Sequence, residues 1–347
     1  MTATRLAATP TRLGIRPMVV ALAALAGALI LGVSVGPVAI SPDRVFAEIL
    51  DRLPLLSVDS GLSEREAAIV WQLRVPRVVL GGLVGGMLAL AGGAYQGVFR
   101  NPLADPYLLG VAAGAGLGAT IVIATGEDLP LVAVAFAAFA GAVVAVFVTY
   151  GLARAGGVGS TANLILAGVA VAAFFTALQT FVQQRSSDTI REVFSWILGR
   201  LATVGWSEVA LLAPFAAASA VVLLLSRRLL DVLAVGEEEA GTLGLRTDRV
   251  RLVVVAAATL GSAAAVAVSG LIGFVGIVVP HTIRLMTGSS YRVILPLAFI
   301  GGAAFLIVAD LLARTVISPG ELPIGVVTAF VGAPFFGIVL RTAGRSA

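Results

Sequence analysis

The sequence predicts an all-α integral membrane protein of about ten transmembrane helices in one bundle, and three observations carry that prediction. The 347 residues are 59% hydrophobic and only 12% charged, with a mean hydropathy of +1.04. A soluble domain carries roughly 25% charged residues, so the chain lacks the material for a solvated surface. Charge-free stretches recur along its whole length, each near the ~20 residues that cross ~30 Å of hydrocarbon. Forty glycines are spread through them, a composition that lets helices approach closely in lipid. The chain has no cysteine, which excludes disulfides and thiolate metal sites. A single histidine, His281, cannot make a metal site by itself.

The spans follow in order. Met1–Arg16 carries three arginines and precedes the apolar run Met18–Gly36, which reads as a retained first span rather than a signal peptide because many more spans follow. Further apolar stretches fall at about 78–97, 107–125, 129–152, 162–182, 208–226, 294–313 and 323–340, their only charges Glu208 at one edge and Asp310 near the end of the ninth span. Residues 252–283 are also charge-free, too long at ~1.5 Å per residue for one helix across ~30 Å. Gly270, Gly273, Gly276 and Pro280 divide this region into a full helix near 250–269 and a shorter one near 272–287. That makes ten spans in a single domain, 1–347. An even count puts both termini on one side. With the termini and the 1–16 tail in the cytosol, fourteen of the 23 arginines lie inside and nine outside, in line with the positive-inside rule. Segments 38–77 and 184–207 are then external, and 227–251 is cytosolic. In 184–207, Phe194, Trp196, Ile197 and Leu198 suit a short interfacial helix.

All 23 basic residues are arginine. A P-loop needs a lysine to reach the terminal phosphates, so an ATP site of that kind is excluded and any ATP-driven motor is another polypeptide. The arginines are scattered between spans, as expected of membrane topology rather than nucleic-acid binding.

Several polar features stand out against the apolar background. In "RNPLADPYLLGVAAGAG", 100–116, Pro102 and Pro106 forbid a continuous helix, Asn101-Pro102 forms a turn, and Asp105 can cap the third span with proline at its first position. This is a stiff hairpin between two helices. Gly110, Gly114 and Gly118 recur every fourth residue, as do Gly93 and Gly97 in the preceding span, a spacing for close helix packing. Asp310 and Arg314 are four apart, an ion pair on one helix face, with Arg314 able to snorkel outward. Arg74 and Arg77 flank Pro76, and with Arg314 they compose an external cationic patch. Gly236–Leu245 has acids first (Glu237, Glu238, Glu239) and Gly244 near its end, a helix start-and-stop pattern, with Ala240 and Leu243 offering a small apolar face; a solvated loop fits these signals equally. His281 is expected to make a structural hydrogen bond rather than ligate a haem.

Six blocks together carry a resemblance: "LRVPR" at 73–77, the 100–116 hairpin, "LILAGVAV" at 164–171, "GFVGIVVPHTIRL" at 273–285, "ADLLAR" at 309–314 and "ELPIGVVTAFVGAPFF" at 321–336. In this order, from about Gln72 to Leu340, the chain resembles the permease subunits of type II ABC importers, which take up iron-siderophores, haem and cobalamin. The resemblance implies a dimer of permeases, most simply a homodimer, in the cytoplasmic membrane of a bacterium. It also implies two ATPase subunits carrying ATP and Mg2+, no cofactor on this chain, and a soluble binding protein outside. It assigns Arg74, Arg77 and Arg314 to binding-protein docking, Asn101, Leu103, Ser160 and Thr161 to a cytosolic gate, and the segment Gly236–Leu245, with Gly236, Glu237, Glu238, Glu239, Ala240, Leu243 and Gly244, to coupling with the ATPase. A ferric siderophore is the first expectation for cargo, with cobalamin and haem as alternatives. A stand-alone secondary carrier is the reading from another class; the scarcity of ionisable residues in mid-span counts against it.

Overall fold

The computed structural model of the chain describes residues 13–36, 38, 40–52, 58–126, 129–155, 161–201 and 205–343, and among them every regular element is helical. Helix α1 (Ile15–Ser34) is followed by two short helices, α2 (Pro42–Asp51) and α3 (Glu64–Ile69). A reciprocal capping box starts α3: the Ser63 hydroxyl accepts from the Glu66 amide while the Glu66 carboxylate accepts from the Ser63 amide, satisfying two donors that a helix start leaves open. A π-turn over Val70–Arg74 then leads without a break into α4 (Val75–Val98). Pro76 has no N–H to give and crowds the preceding turn; the wider turn just before it absorbs that misfit. The second span therefore begins earlier than residue 78, as one continuous helix over Glu64–Val98.

After the hairpin come a 3-10 turn (Pro106–Leu109), α5 (Val111–Ile123), α6 (Leu131–Ala155) and α7 (Thr161–Arg185). The expected interfacial helix is α8 (Ile190–Ile197). It buries Val193 and Trp196 and leaves Ile190 and Phe194 exposed, with Leu198 exposed just past its end, so only part of its apolar surface faces outward. Then follow α9 (Trp206–Leu233), α10 (Glu237–Thr242), α11 (Thr247–Ser269), α12 (Val275–Thr287), α13 (Tyr291–Thr315) and α14 (Ile324–Ala343). Among the described residues seven helices are long and apolar enough to cross a membrane. Val111–Ile123, Val275–Thr287 and Ile324–Val339 are shorter apolar helices. Each of the ten anticipated stretches thus holds a helix. The division of 252–283 is also observed, with Gly270 at φ +69° ending α11.

Helix α4 is buried on all sides at the centre of the bundle, which is what a helix apolar all round requires. Its neighbours come close through glycine. A Cβ on Gly85 would stand 2.3 Å from the Gly302 carbonyl oxygen of α13, and one on Gly92 would stand 1.9 Å from that of Gly276 in α12. Gly114 and Gly118 of α5 meet Gly141 and Ala137 of α6 in the same way, at 2.3 and 2.0 Å.

Three of the expected packing glycines act differently. Gly110 lies outside the stripe: at φ +82° it is the left-handed residue between the 3-10 turn and α5, a conformation that only glycine adopts cheaply. Gly93 and Gly97 face side chains, Leu295 for the first and Leu230 with Tyr291 for the second, each at 3.1 Å. The backbone approach is made instead by Gly85 and Gly92, two turns apart on α4. Polar bonds lock the centre further: Tyr95 to Thr259 across α4 and α11 at 2.6 Å, and the Ser219 hydroxyl of α9 to the Ala257 carbonyl of α11 at 2.6 Å.

Candidate functional site

The polar chemistry gathers at the two ends of the bundle, one marked by Arg77 and the other by Arg100, at opposite ends of α4. At the Arg77 end, the Arg77 guanidinium donates from Nε to both oxygens of Asp310, at 3.0 and 3.1 Å, and from a terminal nitrogen at 2.8 Å. Its two terminal nitrogens also fork onto the Glu321 carboxylate, both at 2.9 Å. Asp310 in turn stands 3.5 Å from Arg314, one helical turn on. Arg314 donates to the Gly32 carbonyl, and Arg74 donates to the carbonyls of Val33, Ser34 and Val38. These carbonyls belong to the last turn of α1 and the chain leaving it, where a helix lacks internal donors.

The expected patch of exposed cations is therefore corrected. Arg314 and Asp310 are each 3% exposed, Arg77 is 14% exposed and Arg74 is buried. Arg314 does not snorkel; it closes a network binding α1, α4, α13 and the start of α14. A charge placed near an apolar span is costly unless paired, and here folding supplies the partners. Glu321 was not anticipated. Its only signal in the sequence was an acid two residues before Pro323, at the start of the last span.

At the Arg100 end the hairpin is rigid, as its prolines required. Asn101 accepts from the Leu103 amide at 3.0 Å, an Asx turn, and Arg100 holds φ +49°. Asp105 accepts from the Tyr107 amide at 2.7 Å, capping the 3-10 turn rather than α5 itself. Burial pushes its carboxyl up to about 6, and the Tyr107 bond opposes that rise. The Tyr107 hydroxyl donates to the Ile272 carbonyl at 2.9 Å and accepts from the Ile272 amide at 3.2 Å, tying the hairpin to the break between α11 and α12. Leu103 is exposed and Asn101 half-buried. Thr161 opens α7, while Ser160 lies outside the described residues.

The acidic segment after α9 is a helix rather than a loop. Gly236 at φ +146° precedes α10 and Gly244 at φ +82° follows it, and Glu237 pairs with buried Arg251 of α11. The proposed apolar face is split. Ala240 is buried against the bundle, whereas Leu243 is 71% exposed and points away with Val235. Nearby, Asp231 accepts from the Ser290 hydroxyl at 3.0 Å and the Tyr291 amide at 2.6 Å, and pairs with Arg292 at 3.1 Å. It thereby fastens the end of α9 to the start of α13. His281 is buried with Nδ1 unpartnered among the described residues, its ring edge-on to Phe335 at 5.8 Å. The hydrogen bond expected of it is absent at that atom.

Between these ends an apolar recess of about 650 Å3 opens beside α14, lined by residues that include Leu198, Leu271, Phe274, Phe330 and Pro334. No cluster of His, Asp or Glu able to hold a metal occurs among the described residues. A many-helix membrane chain with a rigid hairpin, an acidic helix at one end and no lysine for a P-loop has the outline of a transporter subunit. Residues 23–342 match the model of the FecCD transport family.

The chain belongs to the FecCD transport family.

Members of this family are permease subunits of ABC importers, with ATP hydrolysis in a separate subunit. The cobalamin import system permease BtuC of Halobacterium salinarum is 43% identical to this permease over 281 residues, 81% of this chain and 75% of that one. The hemin transport system permease HmuU of Yersinia pestis is 40% identical over 281 residues, covering 78% and 83%. A solved structure described as an inward-facing conformation of a metal-chelate type ABC transporter superposes with a TM-score of 0.83 at 26% identity, covering 94% of this chain and 99% of that one. The fold is that of a type II importer permease, and the protein is a multi-pass membrane component of an ABC importer.

Proposed function

We propose that the permease moves a bulky metal chelate across the cytoplasmic membrane as one half of a homodimer. The 43% identity to a cobalamin permease over most of the chain carries this reading and moves a corrinoid ahead of the ferric siderophore first expected; haem is favoured next, by the hemin permease. Both termini lie in the cytosol, so the Arg77 end faces outward, towards the binding protein. The buried Arg74, Arg77 and Arg314 act there by fixing the ends of α1, α4 and α13 on which the binding protein lands. Arg77 and Glu321 are the members of this network exposed enough to touch it.

At the cytosolic end α10 seats in the ATPase, with Leu243 and Val235 as its apolar knob and Glu237–Arg251 transmitting the movement to α11. Asn101, Leu103, Ser160 and Thr161 act together as a gate. The recess beside α14 faces the second copy and forms one wall of the pathway. ATP and Mg2+ stay on the partner, and no cofactor is bound by this chain.

The experiment is reconstitution of the permease in liposomes with its ATPase and its loaded binding protein, supplying in turn a corrinoid, haemin and ferric siderophores. ATP-dependent uptake of the corrinoid is expected. Uptake of a siderophore or haemin alone would replace the cargo, and uptake under an ion gradient with no ATPase would replace the transport class.

A further inference from the structure

A groove of about 260 Å3 runs between α6 and α11, lined by Val143, Val146, Phe147, Leu252 and their neighbours, with no charged side chain among them. Tyr150 also lines it, and Tyr150 at the same time borders a polar recess of about 150 Å3 that includes Arg154, Arg251 and Asp248. One tyrosine thus joins an apolar slot to a charged mouth. The Arg154 guanidinium lies over the Tyr150 ring, 5.4 Å from its centroid. The charges at this mouth are unequal in their needs. Arg251 is met by Glu237 and stands 3.9 Å from Asp248, whose side chain is almost wholly in solvent. Arg154 is exposed and has no ion-pair partner among the described residues, so it is the cation left to be neutralised.

The dimensions fit one occupant. From Val143 to Arg154 the helix advances about 17 Å, and from Arg251 to Leu260 about 14 Å, close to half of the ~30 Å hydrocarbon thickness. The slot therefore reaches from the headgroup level at the Arg100 end to the bilayer centre, the depth of one leaflet. Tyrosine at that level suits the interface, and basic residues between spans attract anionic headgroups. A soluble anion would leave the apolar slot unused, and a zwitterionic lipid would leave Arg154 uncompensated. We propose that the groove between α6 and α11 holds an acyl chain of an anionic phospholipid from this leaflet, with its phosphate on Arg154.

The test is native mass spectrometry of the full-length permease after exposure to vesicles of phosphatidylglycerol or phosphatidylcholine with the same acyl chains. Phosphatidylglycerol should be retained about fivefold more, the factor that one arginine near a headgroup supplies. Arg154→Gln should abolish that preference. Ala256→Phe, at an exposed position lining the slot, should reduce retention of both lipids; neither substitution touches the core. Equal retention of the two lipids by the unaltered protein would overturn the proposal. So would a preference that survives Arg154→Gln, or retention unaffected by Ala256→Phe.

Discussion

Neutralising Asp310 is the most demanding test of how the Arg77 end is held. In Asp310→Asn the shape of the side chain is kept and its charge removed. The carboxylate, 3% exposed, serves Arg77 through three contacts of 2.8–3.1 Å and Arg314 at 3.5 Å. Without it, Arg77 still has Glu321, but Arg314 is left 3% exposed with no carboxylate in contact. Removing one partner of a buried pair costs about 3–5 kcal/mol because the other charge stays buried and uncompensated. Glu321→Gln is the control. Its carboxylate is 33% exposed, water screens it, and the cost should be about 1 kcal/mol or less. The double variant Asp310→Asn/Arg314→Met should recover part of the loss, since an apolar residue in place of the stranded arginine removes the uncompensated charge. Denaturant unfolding of the purified permease in detergent gives all three free energies on one scale. Equal small losses for Asp310→Asn and Glu321→Gln, or a double variant worse than the sum of the singles, would refute the argument.

Three further predictions follow from the same structure. Gly92→Ala places a methyl where the Gly276 carbonyl stands 1.9 Å away, so it should cost at least about 1–3 kcal/mol. Gly151→Ala meets nothing within 4 Å and should be neutral or gain up to about 1 kcal/mol; unfolding in detergent compares them. The Asp105 carboxyl is pushed up to about 6, so the folded chain keeps a proton that the unfolded chain releases above its ordinary pKa. Stability should fall as pH rises between about 4 and 6 and level off above; a pH series of melting temperatures should lose that slope in Asp105→Asn. Leu243→Glu should leave the permease folded, because the side chain is 71% exposed, while weakening co-purification of the ATPase about tenfold, the order expected when an apolar contact is replaced by a charge. Undiminished co-purification would remove Leu243 from that contact.

Much of the architecture was legible in the sequence because a bilayer imposes it residue by residue. Apolar stretches of the right length become helices whatever surrounds them, since lipid offers the backbone no other partners. The breaks at Gly270 and at the 100–110 hairpin could be read from glycine and proline alone. The cap at Asp105 was legible as a cap, though it serves the 3-10 turn rather than α5, and the acids before α10 fitted a helix and a solvated loop equally. The absence of lysine decided that any P-loop motor is elsewhere. Which glycines touch backbone was less legible. The fourfold spacing of Gly93 and Gly97 drew attention to one face of α4, yet the close approaches are made by Gly85 and Gly92, chosen by where α12 and α13 lie.

The charged residues mark the limit most clearly. The sequence alone determined that Arg74, Arg77, Asp310 and Arg314 sit near one end of the membrane, and that Asp310 and Arg314 share a helix face. Beyond that one pair it could not determine whether they face water or partners from other segments. Only the tertiary structure brought Glu321 to Arg77 and the open carbonyls of α1 to Arg74 and Arg314, turning an expected surface patch into an internal fastening. The reason is that an arginine's burial depends on acceptors contributed by segments far away in sequence, whereas a span's apolarity is a property of the span itself.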